Sequence, residues 1–246
     1  MDRMLYVAMT GAKQTLVAQA ANAHNLANVA TSGFRADLAA FRAMPVFGPG
    51  QATRVYAMAE RPGVDFSAGV VSHTGRELDV AVQGEGWIAV QGRDGREAYT
   101  RAGDLRVTPN GQLTTGAGLP VLGNAGPIAI PQYEKLDIGA DGTIAIRATG
   151  QAAAALATVD RIKLVNPPLE ELRKGEDGLM RLRSGREADA DARVQLVSGS
   201  LEGSNVNAVD ALVNMLTLQR QFEMQVKMMR TTEEADAAAA QVMRLV

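Results

Sequence analysis

The chain has 246 residues, of which 46% are apolar and 21% are charged, and its formal net charge is −2. This length allows one or two domains with a sizeable core, and the nearly balanced charge provides no general attraction to nucleic acid or to an anionic membrane. There is no cysteine, which excludes disulfides, thiolate chemistry and cysteine-based metal sites.

The first predicted element is a helix over residues 3–29. Its apolar residues recur at steps of three and four: Leu5, Ala8, Ala12, Leu16, Ala20, Ala23 and Leu26. Small side chains let two helices approach closely but bury little apolar area, so this helix is expected to be weak on its own. The N-terminus does not have the pattern of a secretory signal, because it is interrupted by Asp2, Lys13 and Gln14. No secretory signal is therefore predicted.

The end of this helix carries polar residues at helical spacing. Asn22, Asn25 and Asn28 lie three apart and are expected to line one face. Because asparagine amides compete for backbone hydrogen bonds, their clustering indicates a helix end where polar groups are satisfied locally or by a neighbouring molecule. Gly33 predicts a tight turn, and Phe34 is expected to anchor the following segment by burying its ring.

The middle of the chain changes character twice. Residues 36–69 contain three prolines and scattered apolar residues, which predicts an extended connector. From 70 to 203, short apolar runs alternate with turn residues such as Asn110-Gly111 and Asp141-Gly142. Such pairs are strong hairpin signals, so this zone is predicted to be a β-rich domain.

The last predicted element is a helix over residues 204–244, about 60 Å long, with Ser204 or Asn205 as its N-cap. Its apolar side consists of Leu212, Leu216, Phe222, Val226, Met229, Ala237 and Ala240. Helices of this length are usually coiled-coil or bundle elements.

These elements predict a mixed α and β fold. Residues 1–35 and 204–246 are expected to pair as one α-helical domain, with the β-rich domain inserted between them and the connector at 36–69. The alternative is that each helix packs separately on the β-rich domain. The paired arrangement is favoured because both helical faces are too long for that small surface.

Residues with catalytic potential are scattered. His24 and His73 lie in different zones without metal-ligand spacing to a partner, and the adjacent Glu170 and Glu171 are expected to be solvated. The glycines at 116–118 lack the Gly-Lys-Ser/Thr of a phosphate loop. We therefore expect no enzymatic activity, no metal and no cofactor.

Residues 21–35, Ala-Asn-Ala-His-Asn-Leu-Ala-Asn-Val-Ala-Thr-Ser-Gly-Phe-Arg, resemble the Asn-Asn-Leu-Ala-Asn signature of bacterial flagellar rod and hook proteins, with His24 in place of the first asparagine. Further segments similar to this family, in the same order, are 78–90, 99–104, 110–113, 118–123, 139–144, 204–207 and 218–229. The resemblance covers nearly the whole chain.

The resemblance implies a structural subunit of the flagellar basal-body rod, most like a proximal-rod member, with a distal-rod or other axial protein as the alternative. It implies export by the flagellar type III apparatus without a cleaved signal, and assembly in the periplasm into a helical drive shaft that transmits torque. It also implies terminal helices that line the inner tube and a β-rich domain that faces outward. A free-standing adhesin or binding module with coiled-coil termini is the alternative of a different class.

The partners implied are other copies of the chain, homologous rod proteins and the export apparatus, with neither nucleic acid nor membrane insertion. The residues expected to make contacts between subunits are Asn22, Asn25, Leu26, Asn28, Gly33, Phe34, Leu212, Leu216, Phe222, Val226 and Met229. Both chain ends are expected to be mobile in the free monomer and to become ordered on assembly.

Overall fold

The computed structural model describes residues 4–45, 55–60, 63–148 and 157–244. Contacts divide the chain into two compact units. Unit 1 comprises Met1–Asn28, Ala36–Asp65 and Val206–Val246, and unit 2 comprises Val29–Arg35 and Phe66–Asn205. The predicted mixture of α and β, with terminal helices and a β-rich middle, is confirmed.

Unit 1 contains two long helices, α1 (Met4–Ala27) and α2 (Ala208–Arg244). With 37 residues, α2 is roughly 55 Å long. Its first turn is capped by Asn207, whose Oδ1 accepts a hydrogen bond from the Val209 amide at 3.0 Å, rather than by the predicted Ser204 or Asn205. Within the described residues, neither helix combines the length and apolar character needed to cross a membrane.

The two helices contact each other, for example where Asn22 binds Ala211 and where Gly11 faces Gln225. One series of buried or half-buried positions in α1 recurs at alternating steps of three and four, flanked by the buried Ala12 and Ala21: Ala8, Gly11, Thr15, Ala18, Asn22 and Asn25. A series in α2 follows the same rule, flanked by the half-buried Gln221 and Val226: Ala211, Met215, Leu218, Phe222, Gln225, Met229, Thr232 and Asp236. An average step of 3.5 residues is the repeat of a coiled coil, so α1 and α2 pair in that manner.

The helix faces predicted from apolar residues only partly coincide with these buried faces. Ala8 and Ala12 are buried as predicted, whereas Leu5 and Leu16 are exposed. Gly11 is buried instead, and a Cβ built on it would lie 3.0 Å from Gln225 Cδ. Close helix packing selects small residues whatever their polarity, which a search for apolar residues does not detect.

Residues 36–69 include two strands, β1 (Ala40–Pro45) and β2 (Val55–Glu60), which pair antiparallel. β2 contacts α1, and the Ala59 amide donates to Gln14 Oε1 at 3.0 Å. The segment predicted as a connector is thus extended and hydrogen bonded in these strands. Residues 46–54 and 61–62 of that prediction lie outside the described residues, and the predicted domain boundaries stay predictions.

Unit 2 is built of short antiparallel strands. In chain order they are β3 (Val71–His73), β4 (Val80–Gln83), β5 (Trp87–Gln91), β6 (Glu97–Thr100), β7 (Leu105–Val107), β8 (Leu113–Thr115), β9 (Tyr133–Ile138), β10 (Thr143–Ala148), β11 (Ala157–Arg161), β12 (Leu164–Val165), β13 (Leu172–Lys174), β14 (Met180–Leu182), β15 (Gln195–Ser198) and β16 (Ser200–Glu202). The larger sheets have the orders β12-β5-β6-β14-β13 and β11-β10-β9, and the pairs are β15-β4, β16-β3 and β7-β8.

The core of unit 2 consists of branched aliphatic side chains contributed by most of these strands, including Ile88, Val90, Leu113, Leu136 and Ile144. Complete burial of each such side chain stabilises the fold by about 1.5–3 kcal/mol relative to exposure. Unit 2 therefore has an apolar core of its own, in contrast to the alanine, glycine and threonine positions buried in α1.

Five turns of unit 2 share one geometry, over residues 92–96, 108–112, 115–119, 139–143 and 175–179. In each turn, the amide of the first residue donates to the carbonyl of the fifth residue. The fourth residue is a glycine, and its amide donates to the carbonyl of the first residue. These glycines have φ between +77° and +84°, as a type I turn followed by a left-handed residue requires. The predicted hairpin signals are confirmed, and residues 116–118 form a turn.

Candidate functional site

Two asparagines of the α1 motif bind backbone groups within unit 1. Asn22 Nδ2 donates to the Ala211 carbonyl at 2.7 Å, which joins α1 to the start of α2. Asn25 Nδ2 donates to the Asp37 carbonyl at 2.8 Å, and its Oδ1 accepts from the Asp37 amide at 2.9 Å. The Asn25 side chain thus pairs with both polar backbone groups of one residue, as a neighbouring strand would.

The remaining motif residues close the end of α1. Asn28 Nδ2 donates to the His24 carbonyl at 2.9 Å, one turn back along the helix. His24 Nδ1 lies 3.0 Å from Asp37 Oδ2. The substitution of histidine for the first asparagine of the signature therefore keeps a polar contact at this position.

Gly33 and Phe34 belong to unit 2 and fix the segment that follows the motif. Gly33 has φ +65°, and a Cβ there would lie 2.2 Å from the Arg101 carbonyl carbon. Its amide donates to the Glu202 carbonyl at 2.8 Å. Phe34 is buried, and Lys174 Nζ lies 4.0 Å from its ring centroid. The predicted turn and anchor are both present in the geometry.

The apolar residues of the two helices that were predicted as contacts between subunits divide into two groups. Leu212 is 50% exposed and Leu216 58% exposed. The others are half-buried: Leu26, Phe222, Val226 and Met229. The exposed pair thus lies outside the packed face of α2, where it is open to another molecule.

Leu212 and Leu216 belong to a larger exposed set on the two helices. Its members, all large apolar side chains, are Met4, Leu5, Tyr6, Met9, Leu16, Val17, Val209, Leu212, Val213, Leu216, Met224 and Met228. Large apolar side chains left exposed in such number on two helices are typical of protein–protein contact sites. We name these residues the helical apolar surface.

The two histidines considered for catalysis are held in polar contacts, and Glu170 and Glu171 are exposed. His73 Nδ1 lies 3.4 Å from Ser200 Oγ in the β3–β16 pair. In the part of the chain that the structure describes, no group of three or more His, Asp and Glu side chains is arranged to hold a metal ion.

Charged side chains stabilise turns in unit 2. Arg181 is 2.6 Å from Asp177 Oδ2 and 3.5 Å from Asp94 Oδ1, so it connects two of the five turns. Hydrogen bonds from Arg181 lower the pKa of Asp177, and a hydrogen bond from the Arg96 amide lowers the pKa of Asp94. Hydrogen bonds from Arg193 lower the pKa of Asp191 to about 2. These groups have structural partners, which accounts for their pKa shifts.

Arg35, Arg101 and Glu202 form a buried ionic cluster that was not predicted from the sequence. Arg35 and Glu202 are each 1% exposed and 2.5 Å apart, and Arg101 Nη1 lies 3.0 Å from the other carboxylate oxygen. Burial lowers the pKa of Arg101, while Glu202 raises it. The strand β16 reads Ser-Leu-Glu, so no run of apolar residues marked Glu202 as a buried charge.

Comparison with known families defines the class of the protein. A family model described as the C-terminal part of flagellar basal body rod FlgEFG proteins matches residues 197–242. A second, described as the D1 domain of flagellar hook protein FlgE/F/G, matches residues 81–146. The matched regions include most of α2 and the strands β5–β9, so the chain is similar to flagellar rod and hook proteins.

Individual relatives narrow this class. The flagellar basal-body rod protein FlgF of Escherichia coli (strain K12) is 45% identical, and that of Salmonella typhimurium (strain LT2) is 44% identical, each with 100% of both chains covered. The flagellar basal-body rod protein FlgG of Buchnera aphidicola subsp. Schizaphis graminum is 31% identical over 94% of this chain and 95% of its own. The chain belongs to the FlgF family of flagellar basal-body rod proteins.

Proposed function

We propose that the chain is a structural subunit of the flagellar basal-body rod, of the proximal type, and that it binds copies of itself and homologous rod proteins. In this proposal the flagellar type III apparatus exports the chain without a cleaved signal, and the rod forms in the periplasm. The paired helices make the helical core of the rod, the β-rich unit faces outward, and the assembly transmits torque. The identity of 45% to FlgF of Escherichia coli over the full length of both chains supports the proximal type.

The helical apolar surface is the observation that carries this proposal. Half-exposed leucine, valine and methionine side chains gain about 1 kcal/mol each when a neighbour covers them, since complete burial is worth about 1.5–3 kcal/mol. A single helix pair cannot cover these residues itself, because its packed faces are already occupied. Many copies side by side supply the missing contacts on every subunit.

The motif residues have a supporting role in this proposal. Asn22 and Asn25 connect the end of α1 to α2 and to Asp37, and Gly33 permits the turn that follows. These three residues fix the arrangement of the helix pair to which a neighbouring subunit binds. They also contact that neighbouring subunit. Phe34 fixes the next segment to the β-rich unit.

The competing class is a free-standing adhesin or binding module with coiled-coil termini. Such a module keeps its apolar helix surface for one foreign ligand and does not polymerise with rod proteins. Concentration dependence separates the two: sedimentation of a rod subunit increases with its own concentration or with added rod proteins. An enzyme is the weaker competitor, because the two histidines have the structural partners described above and Glu170 and Glu171 are exposed.

The test removes the apolar character of two exposed residues. In a strain that lacks its own copy of the gene, the double variant Leu212→Glu, Leu216→Glu is expected to fold and be exported but to be missing from isolated basal bodies, and motility is lost. The control is Leu169→Glu, which changes a leucine of similar exposure, 45%, in the β-rich unit. Normal incorporation of the double variant would contradict the proposal.

A further inference from the structure

Three stretches of the chain meet side by side within unit 2. They are 33–35, 66–70 and 202–205, and each contains or adjoins a point where the chain passes between the two units. Gly33 N donates to the Glu202 carbonyl at 2.8 Å. Asn205 binds the other two stretches. Its amide donates to the Phe34 carbonyl at 3.3 Å, and its Nδ2 donates to the Ser67 carbonyl at 3.2 Å.

The backbones of two of these stretches approach very closely. The Gly203 amide donates to the Val70 carbonyl at 2.9 Å. A Cβ built on Gly69 would lie 2.1 Å from the Gly203 carbonyl oxygen, a distance that no side chain can adopt. The position of 66–70 against 202–205 is therefore fixed by backbone contact as well as by hydrogen bonds.

The Glu202 carboxylate lies where the three stretches meet. Its Oε1 accepts from Arg35 Nη2 at 2.5 Å and from the Gly69 amide at 2.9 Å. Its Oε2 accepts from Arg101 Nη1 at 3.0 Å, and Arg101 Nη2 donates onward to the Gly84 carbonyl at 2.7 Å. One buried carboxylate therefore connects the stretches at 33–35 and 66–70 to the loop that precedes β5.

The cluster contains two guanidinium groups for one carboxylate, so it holds an excess positive charge in a buried place. Among the described residues, Arg35 Nε and Nη1 and Arg101 Nε have no hydrogen-bond acceptor. The Trp87 ring offsets part of this charge, since its centroid lies 5.9 Å from Arg35 Cζ and 5.4 Å from Arg101 Cζ. Removal of Glu202 would leave both cations unpaired, which is strongly unfavourable in a buried site.

We propose that Glu202 is a positioning residue that clamps the chain stretches at 33–35 and 66–70 in fixed register in unit 2. Buried ion pairs contribute little net stability but can select one arrangement over others. The clamp makes the places where the chain enters and leaves the β-rich unit stiff, as a force-bearing subunit needs. The inference concerns the construction of unit 2 and stands whether or not the chain assembles into a rod.

The test compares Glu202→Gln with Glu134→Gln in the purified full-length chain. Glu134 pairs with Arg147 at 3.3 Å at the surface of unit 2, so its variant removes an ion pair of ordinary exposure. A glutamine at 202 must turn its NH2 group toward one of three donors. We expect amide hydrogen exchange at Gly33 and Gly69 to become at least tenfold faster in Glu202→Gln and to stay unchanged in Glu134→Gln.

Two further readouts separate positioning from general stability. The Ala89 amide, which donates to the Lys163 carbonyl at 3.0 Å in the core, reports opening of the whole unit and is expected to keep its exchange rate. Trp87 is the only tryptophan of the chain, and its emission is expected to shift in Glu202→Gln alone. Equal acceleration at Ala89 and Gly33, or no change at Gly33 and Gly69, would overturn the proposal.

A second pair of variants decides the question if Glu202→Gln does not fold. Arg35→Met removes the bond to 33–35 and leaves a neutral Glu202–Arg101 pair, so exchange is expected to accelerate at Gly33 while Gly69 stays protected. Arg101→Met leaves both amides protected, because the Arg35 and Gly69 contacts of Glu202 persist. Acceleration at both amides in both variants contradicts a clamp centred on Glu202.

Discussion

At the scale of single residues, Gly33 combines two constraints, a left-handed backbone conformation and a blocked Cβ position, of which Gly118 has only the first. Its φ of +65° disfavours any L side chain, and the Arg101 backbone occupies the place of a Cβ. Gly118 has φ +78° but nothing within 4 Å of a built Cβ. Comparison of the two positions therefore separates backbone conformation from steric exclusion.

We expect Gly118→Ala to lower the free energy of unfolding of unit 2 by about 1 kcal/mol, the cost of a left-handed alanine. Gly33→Ala is expected to cost about 1–3 kcal/mol more, because backbone atoms must also move. Urea unfolding followed by Trp87 fluorescence measures both values. Equal losses at the two positions would show that the contact with Arg101 imposes no constraint.

Tyr99 gives a prediction of pH dependence. Its hydroxyl accepts from the Ala188 amide at 2.7 Å, and burial raises its pKa above the ordinary value of about 10. The folded state thus holds the proton more tightly than the unfolded chain does. The stability of unit 2 is unaffected by this group below pH about 10 and falls as the pH rises further.

The variant Tyr99→Phe tests this prediction. It is expected to lower the free energy of unfolding by about 1 kcal/mol at pH 7, because the Ala188 amide loses an acceptor, and to reduce the loss of stability above pH 10. Tyr133→Phe, at a half-buried tyrosine of β9, is the control and should keep the alkaline loss. Urea unfolding at pH 7 to 11 measures the free energy of unfolding of each protein. If the wild type and Tyr99→Phe lost equal free energy above pH 10, the prediction for Tyr99 would be wrong.

At the scale of elements, local sequence signals predicted the turns correctly, whereas the apolar pattern along the helices predicted their packed faces less well. The Asn-Gly and Asp-Gly pairs located turns correctly, because a glycine with positive φ after a type I turn is a local requirement. The two long helices were also predicted, with ends within four residues of those observed. Their packed faces were predicted only in part, because the repeat includes Gly11, Thr15 and Gln225, which hydropathy does not mark.

The same distinction applies to the candidate site. The polar role of Asn22 and Asn25 could be predicted from spacing, since unsatisfied amides at a helix end need partners. Their partners, Ala211 and Asp37, could not, because the first lies 189 residues away and the second follows the turn at Gly33. The ionic cluster at Glu202 has the same origin, since its pairs span 101 and 167 residues. Long-range contacts of single charges leave no periodic trace in a sequence.

At the scale of the whole molecule, the two units differ in what stabilises them. Unit 2 buries branched aliphatic side chains, whereas α1 buries alanine, glycine and threonine. Apolar burial scales with area, so the helix pair has much less of this stabilisation for each ordered residue. The two units are therefore expected to unfold separately rather than in one cooperative step.

Heating the purified chain tests this expectation with two signals. Ellipticity at 222 nm reports mainly α1 and α2, and Trp87 fluorescence reports unit 2. We expect the helical signal to be lost at the lower temperature. If the two transitions coincided, the units would not unfold separately. Such a result would also contradict the prediction that the chain ends become ordered only on assembly.

Two core substitutions assign each transition to its unit. Ile88→Ala removes a fully buried side chain of unit 2 and is expected to lower the stability of the fluorescence transition by about 2–5 kcal/mol, without moving the helical one. Ala18→Leu places a large side chain on the packed face of α1 and should act on the helical transition alone. Its control is Ala20→Leu, at an exposed position of the same helix. If Ala18→Leu also lowered the fluorescence transition, the weak helix pair and the β-rich unit would have to unfold as one body, and the helices could not become ordered separately when copies assemble.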